Sequence, residues 1–357
     1  MCAKILIIRK GNPGGGIERS SSIAANYFAS KDQDVTLLSY YSSPTAYNTA
    51  PGVGHIQINL KEGKSRIGKI VSRSRSIRKN VKNVRPDIIL SYGEYMNIPV
   101  LIATIGLHIP VIISDRLSPA FSISKAYDIL KKILYRRASG CIAQTDIAKS
   151  MLISKINIKS IVVIPNPIHE IIKIDCEKKK QIICVGRISP EKGQRHLIQA
   201  FAKLPYTDWH LTLIGGVTRE WFYNDLKATA DTLGITDRVH FEGRKEDFAK
   251  DLSESEIFVL PSLSEGYPNA LIEAMSVPLP CISSDCVAGP SDIIKNGING
   301  ILVEPGNADA LAKAMTLLIE NKDLRDNLAK EAYKIREKLA TEKIAQKYLD
   351  YVLSFLK

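Results

Sequence analysis

Short apolar runs alternate along the chain with longer segments whose apolar residues recur at helical spacing. In the first half we expect strands at Lys4–Arg9, Val35–Tyr40, Ile56–Leu60, Asp87–Leu90, Val111–Ser114, Cys141–Gln144 and Ile161–Ile164. The pattern then restarts, with strands expected at Gln181–Val185, His210–Ile214, Val239–Phe241, Ile257–Leu260, Pro280–Ser283 and Gly300–Val303. Strands that alternate with helices predict doubly wound parallel sheets, so the fold class is α/β.

The repetition of this pattern divides the chain into two Rossmann-like domains that face a cleft. With 357 residues the chain is longer than a usual single domain. We expect an N-terminal domain at residues 1–170 and a C-terminal domain at residues 171–339, joined by a polar linker at Glu170–Lys180. The amphipathic segment at residues 340–357 is predicted to cross back and complete the first domain.

The composition, 45% hydrophobic and 24% charged, is typical of a globular protein. The sequence shows no signal peptide and no apolar run long enough to span a membrane. Its six cysteines form no C-x-x-C pair and have no histidine at zinc spacing. These features predict a protein of the reducing cytoplasm.

The positive charge is concentrated in the first half of the chain. Residues 1–170 carry 24 Lys+Arg and 10 Asp+Glu, whereas residues 171–357 carry 25 and 27. Lys61–Arg85 holds ten basic residues and one acid, and a second basic helix end follows at Lys131, Lys132, Arg136 and Arg137. We expect peripheral binding to the anionic inner face of the cytoplasmic membrane; a solvated helix face is the alternative. Nucleic acid is not expected, because no DNA- or RNA-binding motif is present.

Two acids seven residues apart, Glu265 and Glu273, form the first candidate site. They follow the buried strand at Ile257–Leu260, so Glu265 is placed at the carboxyl edge of a parallel sheet, where open α/β folds bind ligands. A helix that starts at Pro268 would leave unpaired backbone N–H groups around Gly266–Asn269 for phosphate or sugar oxygens.

The same helix predicts a packing face. We expect Ala270, Ala274 and Met275 to pack on the sheet and Glu273 to point away from it. An anion flanked by two hydroxyl-bearing groups would suit this constellation, and a nucleotide sugar is such a ligand. The alternative is that both acids are solvated, because acids are common near helix starts.

Arg187 and Lys192 form the second candidate site. Both lie in the loop that follows the first strand of the second half, and this loop reaches the same sheet edge as Glu265. Two cations there would neutralise a diphosphate and stabilise the negative charge that develops on it as it leaves. Two solvated loop cations remain the alternative.

The glycine-rich turn Gly14–Gly16 closes the first strand and helix. It is not a dinucleotide fingerprint, since Arg19 stands where a small residue is needed, and it is not a P-loop. It indicates a close approach to a phosphate or an acceptor, or else a merely permissive turn. Asp32–Asp34 is formally a D-x-D motif but fits a surface turn. None of the six histidines has metal-ligand spacing, so no metal and no cofactor are expected.

Five motifs in the same order and spacing resemble the retaining GT-B glycosyltransferases of family 4. They are Gly15-Gly16, Val185-Gly186-Arg187 with Lys192-Gly193, Leu213–Gly216, Phe241-x-Gly243 and Glu265–Met275. The resemblance is strong over residues 180–320 and weaker but collinear over residues 1–170. It implies a GT-B fold and a retaining, metal-independent transfer of a hexose or N-acetylhexosamine from a nucleotide sugar, with UDP as the expected nucleotide.

The resemblance also implies roles for individual residues. Arg187 and Lys192 would hold the donor diphosphate and, with Glu265, form the catalytic group. Glu273 would bind the ribose, and Glu265 with the amides that follow it would bind the sugar. The remaining donor-binding residues are Gly15, Gly16, Gly215, Arg244, Gly266, Tyr267, Pro268, Asn269, Ala270 and Leu271.

The acceptor is indicated less directly. Asp285–Asp292 and Ser114–Pro119 look like segments of bacterial enzymes that extend lipid-linked oligosaccharides or capsule repeats. The implied acceptor is therefore a glycan or a polyprenyl-diphosphate-linked glycan. Many relatives carry an acceptor-side histidine, and Arg116 occupies that neighbourhood here. A nucleotide-sugar epimerase or hydrolase on the same fold, or a non-catalytic nucleotide-sugar-binding protein, is the alternative function.

Overall fold

The computed structural model describes residues 2–11, 15–40, 47–58, 65–169 and 171–356. The chain divides into two compact units, which consist of Met1–Pro167 with Ala340–Lys357 and of Ile168–Leu339. We call them the N-terminal unit and the C-terminal unit. Three segments named above fall outside the described residues: residues 12–14 of the glycine-rich turn, residues 59–64 with the start of the basic stretch, and Glu170.

The N-terminal unit is built on a seven-stranded sheet with the order β3-β2-β1-β4-β5-β6-β7 over the described residues. Every neighbouring pair is parallel. The strands are β1 Lys4–Arg9, β2 Asp34–Ser39, β3 Gly54–Gln57, β4 Ile88–Tyr92, β5 Val111–Ser114, β6 Gly140–Ala143 and β7 Ile161–Val163. Its first five helices are α1 Gly16–Ser30, α2 Arg66–Val84, α3 Glu94–Ala103, α4 Lys125–Leu134 and α5 Asp146–Lys155.

Local sequence signals set the starts of three of these helices. Ser65, Ser124 and Thr145 each accept a backbone N–H from the first turn of α2, α4 and α5. Such side-chain caps satisfy amide groups that have no partner inside the helix. The central strands β1 and β4 are buried almost throughout, because helices cover both faces of a parallel sheet.

The C-terminal unit contains a six-stranded sheet in the order β10-β9-β8-β11-β12-β13, again parallel throughout the described residues. The strands are β8 Gln181–Val185, β9 His210–Ile214, β10 Val239–Gly243, β11 Ile257–Leu260, β12 Cys281–Ser284 and β13 Ile301–Val303. The helices are α6 Gln194–Ala202, α7 Glu220–Thr232, α8 Ala249–Glu254, α9 Asn269–Met275, α10 Pro290–Ile293, α11 Ala308–Glu320, α12 Lys322–Tyr333 and α13 Ile335–Lys338.

The last helix, α14 Thr341–Leu353, belongs to the N-terminal unit. Its apolar face is buried at Ile344, Ala345, Tyr348, Leu349 and Val352. Tyr27 on α1 donates a hydrogen bond to Gln346 Oε1 at 2.6 Å, which fixes α14 beside α1. The C-terminal end of the chain therefore packs within the N-terminal unit.

The predicted fold class is confirmed, and most predicted strands differ from the observed ones by one or two residues. The largest difference is at β3, which is observed at Gly54–Gln57 instead of the predicted Ile56–Leu60. Another difference arises where polar residues continue a buried strand. β4 runs on through Ser91 and Tyr92, both fully buried, beyond the predicted end at Leu90. Asp32 lies in an exposed turn with a φ of 58°, as predicted for the D-x-D sequence. The described residues include no helix long and apolar enough to cross a membrane.

Candidate functional site

The site lies at the carboxyl edge of the C-terminal sheet, where the strand order reverses. β8 is flanked by β9 on one side and by β11 on the other, so the chain continues from β8 to β9 and from β11 to β12 in opposite directions along the sheet. Open parallel sheets bind ligands at such a switch point. Lys192 follows β8 and Glu265 follows β11, and the two loops meet there.

Lys192 and Glu265 form the closest charged contact at this edge. Lys192 Nζ donates to Glu265 Oε1 at 2.6 Å, and the two side chains are 18% and 7% exposed. Ser262 Oγ donates to the same carboxylate oxygen at 2.6 Å, and Ser262 is fully buried. Glu265 Oε1 therefore accepts two hydrogen bonds inside the protein. Sequence reasoning did not assign Ser262, although a hydroxyl three residues before the acid was a usable signal.

The contact depends on a close approach of the two loop backbones at Gly193. Gly193 has a φ of +68°, and a Cβ added there would lie 2.0 Å from the carbonyl oxygen of Pro261. Leu263 N also donates to Glu191 O at 2.9 Å, which joins the two loops a second time. Only glycine fits between these segments, so Gly193 lets Lys192 reach Glu265.

Two buried thiols lie close to the ion pair. Burial raises the pKa of Cys184 to about 12 and that of Cys286 to about 12, and both Lys192 and Glu265 act on each thiol electrostatically. Both thiols are protonated at neutral pH, and a thiol is a poor nucleophile in that form. The charged groups beside these thiols are the carboxylate of Glu265 and the ammonium group of Lys192.

Glu273 lies on α9, but its surroundings differ from the prediction. It is 6% exposed, and α9 is buried from Leu271 to Met275. Of the predicted packing face, Ala274 and Met275 are fully buried and Ala270 is half-buried. The helix is short and packs against β11, β12 and α12, so most of its circumference is covered. A solvated position for Glu273 is likewise ruled out.

The turn before α9 also differs from the expected row of unpaired amides. Asn269 N donates to Tyr267 O at 3.0 Å, and Leu271 N donates to Pro268 O at 3.1 Å. Pro268 has no amide hydrogen to offer. The prediction of an unpaired amide is therefore wrong for Asn269, because the tight turn uses that amide internally. Tyr267 and Pro268 are buried, and Gly266 is half-buried.

Arg187 is placed differently from Lys192, although both follow β8. Its side chain is 66% exposed, and its guanidinium lies 3.8 Å from Glu191. Gln194 Nε2 donates to the Arg187 carbonyl oxygen at 2.8 Å, which holds the backbone while the side chain extends into solvent. The guanidinium remains accessible to a ligand.

Backbone hydrogen bonds join the ends of β8, β9 and β10 next to this site. Gly186 N donates to Ile214 O and Gly215 N donates to Gly243 O, both at 2.8 Å. A Cβ added to Gly215 would lie 1.9 Å from Gly186 O, so this position needs glycine for packing. The exposed Arg244 follows Gly243, and its stem passes close to Gly216.

A cavity of about 250 Å³ opens beside these strand ends. Its lining is mostly apolar and aromatic, with one carboxylate. The lining residues are Ile188, Leu213, Gly215, Val217, Tyr223, Phe241, Glu242 and Gly243. A planar ring suits such a hollow better than a charged group does.

Gly15 and Gly16 belong to the N-terminal unit, at the start of α1. A Cβ added to Gly15 would lie 2.2 Å from Glu18 Oε2, and Glu18 Oε1 accepts the amide of Gly11 at 3.1 Å. A buried carboxylate therefore folds over the described part of this turn. It would repel a phosphate placed against Gly15.

Arg116 is buried in the N-terminal unit, at 7% exposure. Its Nε donates to Ser114 Oγ at 2.8 Å, its Nη1 donates to Asn166 Oδ1, and its Nη2 donates to Tyr348 Oη at 2.7 Å. The guanidinium also stacks on Tyr92, 4.7 Å from the ring centre. Each guanidinium nitrogen is engaged within the unit, so Arg116 joins α14 to the loop after β5.

Among the described residues, no group of three His, Cys, Asp or Glu side chains is arranged to hold a metal ion. All six cysteines are free, and three of them lie within strands.

Two family models match the chain, one in each half. The model described as "Glycosyl transferases group 1" matches residues 169–335. The model described as "Glycosyltransferase Family 4" matches residues 14–170. Between them they cover the chain from residue 14 to residue 335, and they meet where the two compact units divide.

Individual relatives are similar over nearly the whole length. One is the Campylobacter jejuni GalNAc-alpha-(1->4)-GalNAc-alpha-(1->3)-diNAcBac-PP-undecaprenol alpha-1,4-N-acetyl-D-galactosaminyltransferase, 27% identical over 89% of each chain. Another is the amylovoran biosynthesis glycosyltransferase AmsD of Erwinia amylovora, 27% identical over 97% of this chain and 99% of the relative. Among solved structures, Anabaena HepE in complex with UDP and glucose superposes with a TM-score of 0.84 at 19% identity, over 99% of this chain and 100% of that one.

Proposed function

Because this chain belongs to the GT-B glycosyltransferases, with a family 4 half followed by a group 1 half, we propose that it transfers a hexose or N-acetylhexosamine from a UDP-sugar. The acceptor is a glycan or a lipid-linked glycan in the synthesis of a surface polysaccharide or glycoconjugate. The transfer retains the anomeric configuration and needs no metal ion.

The observation that carries this proposal is the ion pair between Lys192 and Glu265 at the switch point of the C-terminal sheet. Donor binding would bring a diphosphate to Lys192 and sugar hydroxyls to Glu265, so each group would exchange its present partner for the ligand. The carboxylate already accepts two hydrogen bonds, and it therefore has the position and the charge to accept sugar hydroxyls instead. Ser262 would keep it in place during this exchange.

Other predicted donor residues of the C-terminal unit would hold a nucleotide that extends along the same edge. Arg187 is exposed and near Lys192 in the chain, so its guanidinium would be the second cation on the diphosphate. Glu273 would bind the ribose hydroxyls. The hollow beside Gly215 and Arg244 would receive the base, because its walls are apolar and aromatic. Tyr267, Pro268, Ala270 and Leu271 would shape the sugar pocket around Gly266 and Asn269.

The chemistry follows from where charge develops. The bond between the anomeric carbon and the diphosphate oxygen breaks, and the acceptor oxygen forms the new bond on the same face of the sugar. The acceptor proton passes to the leaving diphosphate. Lys192 and Arg187 would stabilise the negative charge on that diphosphate more in the transition state than in the ground state, which lowers the barrier.

The acceptor and the nucleotide are suggested by the names of similar proteins. The Campylobacter jejuni relative is named for a diphospho-undecaprenol-linked acceptor, and AmsD is named for amylovoran biosynthesis. HepE was solved with UDP and glucose. These names agree with the sequence-based prediction of a UDP-sugar donor and a lipid-linked glycan acceptor.

We also propose that the N-terminal unit lies against an anionic membrane surface, as its charge predicts. Two arginines of α2 have structural partners as well: Arg78 Nη1 donates to the carbonyl oxygens of Ala103 and Ile105, both at 2.7 Å, and Arg73 stacks on Tyr40. Replacement of these two would disturb packing as well as charge. Lys79 and Lys82, which are exposed, are better probes of the charge alone.

The decisive experiment measures sugar transfer with a panel of UDP-sugars and a lipid-linked glycan acceptor. We expect Lys192→Ala and Glu265→Ala each to lower kcat about a hundredfold, the usual loss for one preorganised transition-state partner. Lys334→Ala and Glu331→Ala break an exposed ion pair at 2.6 Å on α12 and serve as matched controls with unchanged kcat. Turnover at the wild-type rate in folded Lys192→Ala and Glu265→Ala would refute the proposal.

A nucleotide-sugar hydrolase or epimerase would use the same cluster and is separated by its products. If the enzyme releases free sugar, or a stereoisomer of the donor, at the full rate without an acceptor, the transferase assignment fails. A non-catalytic binding protein would bind UDP-sugars and release no UDP under any condition.

A further inference from the structure

A second cavity, of about 290 Å³, lies in the N-terminal unit between α4, α5 and the segment Pro119–Ser122. It is lined by one apolar wall and one charged wall. The apolar wall is formed by Pro119, Ala120, Phe121, Met151, Leu152 and Ile156. The charged wall is formed by Asp115, Asp128, Lys131, Lys132 and Lys155. The cavity is therefore amphipathic.

Its acidic groups are already satisfied within the protein. Lys131 Nζ lies 2.7 Å from Asp115 Oδ2, and their side chains are 21% and 8% exposed. Ser122 Oγ donates to Asp128 Oδ2 at 2.6 Å. Within the described part of the chain, Lys132 and Lys155 line the cavity as exposed cations without an ion-pair partner. The rim of the cavity is therefore cationic, and it attracts an anion.

The lining residue Phe121 and the two helices that line the cavity, α4 and α5, expose large apolar side chains. Phe121, Ile129, Ile133 and Ile153 are 56%, 59%, 60% and 57% exposed. Such side chains normally occur singly on a soluble protein, and a group of them marks an interaction site. The basic helix α2 has only Val71 as an exposed large apolar residue among its described side chains. The α4–α5 surface thus combines positive charge with several exposed apolar side chains, whereas α2 combines it with one.

We infer that this cavity binds the prenyl diphosphate end of a lipid-linked acceptor, an inference that rests on the proposed function. Lys132 and Lys155 contact the diphosphate at the rim, and Phe121, Met151 and Ile156 contact the first isoprene units. A volume of about 290 Å³ is at the lower end for ligand pockets, near 300 Å³.

The chemistry of chain extension agrees with a site that is separate from the donor residues. A lipid-linked glycan grows at the end opposite to its diphosphate, so the diphosphate does not react and needs only to be held. A cation pair above an apolar cavity holds it without any catalytic group. With this site, the affinity for the acceptor would depend on its lipid diphosphate, and donor recognition would be left to the C-terminal unit.

The test uses the full-length protein and farnesyl diphosphate as a soluble probe in calorimetric titration. We expect farnesyl diphosphate to bind, with inorganic pyrophosphate and farnesol each at least tenfold weaker. The double variant Lys132→Glu/Lys155→Glu should weaken binding of farnesyl diphosphate at least tenfold. Lys79→Glu/Lys82→Glu makes the same charge change on α2 and should bind as tightly as the wild type.

Three results would overturn the inference. The first is that Lys132→Glu/Lys155→Glu binds farnesyl diphosphate as tightly as the wild type does. The second is that pyrophosphate binds as tightly as farnesyl diphosphate. The third is that Lys132→Glu/Lys155→Glu weakens binding only to phosphatidylglycerol vesicles. The last result would assign these lysines to the bilayer surface. With the lipid-linked acceptor, the same variant should raise KM and leave UDP affinity unchanged. If no UDP-sugar binds while farnesyl diphosphate does, the proposed function fails and the lipid site stands.

Discussion

At the scale of single residues, the ion pair between Lys192 and Glu265 has both a structural and a chemical consequence. Its side chains are mostly buried, so each charge is stabilised chiefly by the other. Removal of one member of such a pair leaves a charge with poor solvation. An activity loss in a single variant could therefore come from lost stability, and the two effects need to be separated.

A double variant separates them. We expect Lys192→Met to lower the free energy of unfolding by about 2 kcal/mol, less than for a fully buried pair because Lys192 is partly exposed. Lys192→Met/Glu265→Gln removes both charges and keeps an acceptor for Ser262, so most of that stability should return while transfer stays lost. Urea unfolding and a transfer assay on the same samples make the comparison. Recovery of transfer in the double variant would contradict the assigned roles.

Glu94 is a second residue whose charge state is set by its neighbours. It is 3% exposed, and its Oε1 accepts the amides of Arg116 and Leu117, both at 2.6 Å. Burial, and then the neighbouring Asp115, raise the pKa of Glu94 well above its ordinary value, while Lys131 opposes the shift. Tyr135 Oη donates to Asp115 at 3.1 Å in the same cluster. Burial and the neighbouring carboxylate therefore favour the protonated form of Glu94.

This arrangement predicts a pH dependence with a definite sign. Between the ordinary carboxyl pKa of about 4.3 and the raised pKa of folded Glu94, the native state binds more protons than the unfolded state, so stability falls as pH rises, by up to about 1.4 kcal/mol per pH unit. Glu94→Gln keeps the acceptor for both amides and cannot ionise. Its stability relative to wild type should rise between pH 5 and pH 8.

Urea unfolding at the two pH values measures the difference, with Glu342→Gln on the exposed face of α14 as the control. The control should show the same pH dependence as wild type. A Glu94→Gln protein that follows the wild-type pH dependence would show that Glu94 titrates normally.

At the scale of elements, the loops after β8 and β11 pack closely at Gly193. Its positive φ alone does not account for the need for glycine there. Gly193 and Gly234 have nearly the same positive φ, +68° and +66°. They differ in their surroundings: a Cβ at Gly193 would lie 2.0 Å from Pro261 O, and a Cβ at Gly234 would meet nothing within 4 Å. Substitutions at these two glycines therefore separate the cost of backbone strain from the cost of steric contact between elements.

We expect Gly234→Ala to cost about 1 kcal/mol through backbone strain alone, with no change in transfer. Gly193→Ala should cost more, because the loops after β8 and β11 have to move apart, and kcat should fall with the position of Lys192. Thermal unfolding and transfer rates of both variants provide the test. Equal costs for the two substitutions, with equal rates, would show that the loop contact at Gly193 is unimportant.

At the scale of the whole molecule, two spectroscopic signals distinguish ligand binding to one unit from binding to the other. Both tryptophans, Trp209 and Trp221, belong to the C-terminal unit. Tryptophan fluorescence therefore follows this unit, and circular dichroism follows both. If UDP binds only to the C-terminal unit, it stabilises that unit by about 2.7 kcal/mol at a hundredfold excess over Kd.

We expect UDP to raise the fluorescence midpoint in thermal unfolding by several degrees and to shift the circular dichroism curve only in part. Farnesyl diphosphate should have the opposite pattern if it binds to the N-terminal unit. Inorganic phosphate at the same concentration serves as the control. A fluorescence midpoint unaffected by UDP would exclude a nucleotide site in the C-terminal unit.

Much of this architecture is determined by local sequence. The apolar runs of β8, β9 and β11 have the predicted ends, since a strand buried on both faces needs only a continuous apolar segment. The positions of Lys192 and Glu265 after those strands place both at one sheet edge, since the strands are parallel. The excess of basic residues in the first half is likewise a property of the sequence alone.

What only the tertiary structure decided are the contacts between segments that are distant in sequence. Lys192 and Glu265 are 73 residues apart, and they meet because β11 returns to pair with β8 after the excursion through β9 and β10. The burial of Glu273 and the raised pKa of Glu94 depend in the same way on which elements become neighbours. Periodicity and propensity act over a few residues along the chain, whereas desolvation and charge pairing depend on distance in space.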